Sequence, residues 1–93
     1  MINNNELKHF IIRVSKEDSA FIYFQFEANE GLCFFSTLKS SLKQPYRDIE
    51  IFSPISLEKE FSHLLNYLGT DISIQYLLEE TVEDRDYLKT QDL

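Results

Sequence analysis

Along residues 8–14 the apolar positions Phe10, Ile12 and Val14 alternate with His9, Ile11 and Arg13, the period of two that marks a half-buried strand. Ser15 follows with a capping hydroxyl, and Glu17 and Asp18 fall in the next turn, where the helix dipole favours acid; a helix is predicted to start there. Its body, 20–28, reads two ways. Ala20, Phe21, Phe24 and Ala28 form a helical stripe, which we read as the core face, yet the run Phe-Ile-Tyr-Phe-Gln-Phe is also β-prone and as a strand would bury Ile22, Phe24 and Phe26 together. The cap before it, and the stop signal Asn29-Glu30-Gly31 after it, favour the helix.

Residues 32–38 are short, aromatic and bounded by Gly31 and Lys39-Ser40-Ser41, which predicts a second strand with apolar groups on both faces. After a turn ending in Pro45, residues 46–52 alternate Ile49 and Ile51 with Asp48 and Glu50, a third strand that pairs with the second as a hairpin. Ser53-Pro54-Ile55-Ser56 breaks the pattern. Leu57, Phe61, Leu64, Leu65 and Leu68 then trace one helical face, with Ser56 as the expected N-cap and Gly69 just past the end. Residues 72–76 alternate again, as a fourth strand.

The order β-α-β-β-α-β predicts an α+β, ferredoxin-like sandwich: a four-stranded antiparallel sheet, first and third strands central, with both helices on one face. Residues 1–7 read as a polar lead-in, 8–78 as a single domain and 79–93 as an acidic segment. In that last segment six acids face only Arg85 and Lys89; Thr81-Val-Glu-Asp84 supplies a cap for a short final helix, with a solvated tail as the alternative. The second strand, at an edge, is a template for pairing that proteins usually cover or use.

Composition narrows the function. The 93 residues are 43% hydrophobic and 27% charged, a globular balance, and no run approaches the ~20 apolar residues of a membrane span. A net charge of −7 repels phosphate backbones and anionic lipid, so nucleic acid and membrane are disfavoured partners. A single cysteine, Cys33, and an amino-terminal Met-Ile-Asn-Asn-Asn without an apolar leader fit a cytoplasmic chain.

Candidate chemistry is sparse. His9 and His63 have no companion at a metal-ligand spacing, so no metal site is assigned. Cys33 stands in an apolar run without a neighbouring base, and reads as packing. Ser40, Ser41 and Lys43 lack the glycine-rich frame of a phosphate loop. Glu27 lies near the end of the first helix, against the macrodipole; it reads as a surface carboxylate, or as one held by a hydrogen bond to the hairpin. Gly31 reads as a backbone device for positive φ. No catalytic set and no cofactor are expected.

Glu27-Ala-Asn-Glu-Gly31-Leu-Cys-Phe-Phe-Ser-Thr37, followed by a strand ending Ser53-Pro54, resembles a family of small bacterial domains of unknown function. The resemblance spans about two thirds of the chain and implies a compact fold similar to the ACT domain, with no activity attached. Ligand-binding ACT domains carry a glycine between the first strand and helix, where this chain reads Val14-Ser15-Lys16-Glu17-Asp18. The leading expectation is a non-enzymatic interaction or regulatory module, a homodimer that uses the second strand's edge. Its interface is expected at Ile11, Cys33 and Phe35, with Ile11 and Phe35 on the sheet face away from the helices. The alternative is an ACT-like small-metabolite sensor or accessory subunit.

Overall fold

A computed structural model describes residues 6–83. The elements are β1 (Glu6–Ser15), α1 (Lys16–Ala28), β2 (Phe34–Thr37), β3 (Tyr46–Pro54), α2 (Glu58–Leu68) and β4 (Gln75–Glu83), with 3₁₀ turns at Lys39–Ser41 and Ile55–Leu57. The four strands form one antiparallel sheet in the order β2-β3-β1-β4, the ferredoxin-like arrangement that the element order implies.

Phe10, Ile12 and Val14 of β1 and Ile49 and Ile51 of β3 point to one side of the sheet, where Ile22 and Phe26 of α1 and Phe61, Leu65 and Leu68 of α2 close the core. Ile12, Ile22, Ile49 and Ile51 are wholly buried, and burying a side chain of that size contributes about 1.5–3 kcal/mol. Ser15 caps α1 as expected: its Oγ accepts from the Asp18 N–H at 3.2 Å. The stop after α1 is also as expected, with Asn29 at the C-cap and Gly31 at φ 93°.

Several expectations are corrected. On α1 the stripe read as the core face points outward: Phe21 and Phe24 are exposed, as are Ala20 and Ala28, while Ser19, Ile22 and Phe26 face the sheet. Large apolar side chains, Phe21 and Phe24 among them, stand on the outer side of the helix as well as the inner, so hydrophobic spacing alone does not select its inner face. β3 does not break at Ser53-Pro54. It runs through Pro54, and Ser53 turns its hydroxyl inward to donate to the Leu32 carbonyl at 2.7 Å. Ser56 is not the cap of α2; it lies within the 3₁₀ turn, which leads straight into the helix.

The fourth strand begins three residues later than expected. Ile72 and Ile74 pack on the core from the connection after α2, and the Ile72 N–H is held by the Leu68 carbonyl at 3.0 Å. β4 then continues through Glu83, so the short helix capped at Thr81 does not form over 81–83. Residues 1–5 of the expected lead-in and 84–93 of the acidic segment lie outside the described residues, whereas Glu6 and Leu7 belong to β1 and Glu79–Glu83 to β4.

Candidate functional site

The two edges of the sheet differ in chemistry. β4 carries Glu79, Glu80 and Glu83, and its pairing with β1 is irregular between Ile11 and Ile12; acids and bulges are two of the devices that discourage a further strand. β2 has neither. Its four residues, Phe34-Phe35-Ser36-Thr37, carry no charge and no proline, and Phe34 is 62% exposed. β2 is held on its inner side by antiparallel pairing of Phe34 with Phe52, Phe35 with Ile51, Ser36 with Glu50 and Thr37 with Ile49.

That register fixes the faces. Phe35 shares the side of Ile51 and therefore lies under the helices, not on the open face as expected. Its ring stacks on Tyr23 with centroids 5.8 Å apart and meets Phe26 edge-on at 5.3 Å. Tyr23 also shares a hydrogen bond between its hydroxyl and that of Thr37, so one tyrosine of α1 grips both helix-facing residues of the edge strand.

Cys33 precedes β2 and packs half-buried against the core; burial pushes its thiol pKa up to about 12, so the neutral thiol is the resident form. Ile11 alone of the three expected interface residues sits on the open face, half-buried between its strand partners Glu50 and Leu78. The structure does not bring Ile11, Cys33 and Phe35 together.

The open face carries charged side chains beside the apolar Ile11, Phe34 and Phe52. Arg13 forms a two-pronged pair with Asp48, Nε to Oδ1 at 2.7 Å and Nη2 to Oδ2 at 3.0 Å, with its guanidinium 3.8 Å from the Tyr46 ring centroid. The hydrogen bond to Asp48 pushes the Arg13 pKa further up. His9 lies flat on Phe52, centroids 4.3 Å apart and planes 1° from parallel, with Nε2 3.0 Å from Glu50 and Nδ1 2.7 Å from Glu80. This imidazole ties three strands together. Sequence spacing could not find it, because residues 9, 50 and 80 meet only through the sheet register.

On the other side, a largely apolar groove of about 730 Å³ runs between the end of α1 and α2, lined by Asn29, Leu32, His63, Leu64 and Tyr67 among others. Among the described residues no group of three or more His, Cys, Asp or Glu side chains could hold a metal ion, and no helix is long and apolar enough to cross a membrane. No family model, no curated protein and no solved structure matches this chain.

Proposed function

We propose that this chain is a protein-interaction module that works by binding and pairs with a second copy of itself through its sheet. The observation that supports the reading is the unequal guarding of the two edges: β4 is fenced by acids and an irregular register, while β2 presents unpaired backbone beside an exposed Phe34. A second β2, approaching antiparallel across a two-fold axis, satisfies that backbone and makes one continuous sheet of eight strands. Amide hydrogen exchange over Phe34–Thr37 tests it. Protection that rises with protein concentration is expected, and exchange independent of concentration overturns the reading.

The groove between α1 and α2 supports a second reading, a small-metabolite sensor, because its apolar wall carries a few convergent polar groups. A thermal-shift screen of amino acids and nucleotides separates the two: a bound ligand at ~100 times its dissociation constant adds about 2.7 kcal/mol of apparent stability.

A further inference from the structure

Lys16 and Glu27 are the first and twelfth residues of α1, and each carries the wrong sign for its place: a cation in the first turn and an anion in the last. Both are exposed, and neither enters an ion pair among the described residues. They share one flank of the helix. At about 100° per residue, Lys16, Ala20, Tyr23, Phe24 and Glu27 fall in a single stripe. Tyr23 in that stripe touches Phe35 and Thr37, which places the flank on the side of the helix that faces β2.

We propose that α1 packs antiparallel on α1 of a second copy, with Lys16 of each chain against Glu27 of the other and Ala20 and Phe24 between the two ion pairs. The inference rests on the self-pairing of β2 and adds to it the second half of the contact. A two-fold axis brings the start of one helix to the end of the other on the same flank, so both misplaced charges find an opposite charge at once. The midpoint between Lys16 and Glu27 falls at Phe21 and Ile22, within a turn of Tyr23, and Tyr23 stands over the middle of β2. One axis can therefore pass through the centre of the strand pair and the centre of the helix pair. Area argues the same way: a four-residue edge alone falls far short of the ~800 Å² per partner of a stable interface, and the 65% exposed Phe24 with its neighbours supplies more.

Charge exchange tests the contact, read as the dimer dissociation constant by light scattering across a dilution series. Lys16→Glu alone and Glu27→Lys alone each place like charges together twice per dimer and are expected to weaken it by about tenfold or more. The double variant Lys16→Glu/Glu27→Lys is expected to return to within about threefold of the wild-type value, because the pairs are restored with reversed polarity. Each reversal gives its own helix end the favoured sign, so the isolated fold is not weakened, and circular dichroism of dilute samples checks that. A dimer indifferent to the single reversals, or a double variant as weak as the singles, overturns the helix contact and leaves the strand pairing standing. A wild-type chain that stays monomeric overturns both.

Discussion

Tyr23 and Phe35 lie ring on ring, 5.8 Å between centroids and 13° from parallel, where α1 meets the edge strand β2. The pair makes the edge strand part of the core. A four-residue strand held only by β3 would fray, and the aromatic stack together with the Tyr23–Thr37 hydrogen bond ties it to the helix above.

Phe35→Ala should therefore cost about 2–4 kcal/mol, at or below the usual range for a phenylalanine removed from packed surroundings because Phe35 is only half-buried. Phe35→Asp should abolish the cooperative unfolding transition, as a carboxylate there faces Tyr23 and Phe26. Urea unfolding followed by circular dichroism measures both. A stable, cooperative Phe35→Asp chain would place Phe35 on the open face instead.

Leu65 anchors α2 with 3% of its surface exposed, and Leu65→Ala should lose about 2–5 kcal/mol in the same assay. A loss under about 0.5 kcal/mol would mean that the stripe Leu57, Phe61, Leu64, Leu65, Leu68 is not what seats the helix.

Cys33 sets a pH dependence. Its folded pKa of about 12 lies above the ordinary 9.0, so the folded chain binds this proton more tightly than the unfolded one. The stabilisation is complete below about pH 9 and is lost as pH rises towards about 12. Burial raises the Tyr76 pKa as well, which adds a loss of the same sign at high pH. Cys33→Ala should flatten part of the alkaline arm of the stability profile. At pH 8 a disulfide reagent should label Cys33 slowly in the native chain and rapidly in denaturant; equal rates would contradict the burial.

His9 reaches Glu50 on β3 and Glu80 on β4 from the central strand between them. His9→Ala removes both contacts and the Phe52 stack, and should destabilise the chain by about 1–3 kcal/mol. Amides of β4 should gain exchange first, since that strand has one neighbour and loses the Glu80 contact with His9. Loss of protection spread evenly over β1 and β3 would show that the cluster is not a β4 tether.

The order of elements was legible because each carries its own punctuation: Ser15 and Gly31 bracket α1, and Gly69 ends α2. The faces were less legible. On α1, Ile22 and Phe26 compete with Phe21 and Phe24 on equal hydrophobicity, and the better signal was charge: Lys16, Glu17 and Glu27 group with Phe24 and mark the outside. The end of the chain misled for a related reason. Glu79, Glu80 and Glu83 read as part of an acidic segment leading into a short helix capped near Thr81, whereas acids on a strand with only one neighbour are what guards an edge. The alternation over 72–76 was real burial pressure, but on a connection folded under α2, with the strand starting beyond it.

Sedimentation equilibrium of the wild-type chain from low to high micromolar concentration tests the central claim most directly, with Ser36→Lys as the companion that puts a charge on the unguarded edge. The account predicts a concentration-dependent approach to twice the 11.0 kDa chain mass, and a folded Ser36→Lys chain shifted towards monomer. A wild-type chain fitting 11.0 kDa at every concentration would contradict it, as would a dimer that the lysine leaves untouched.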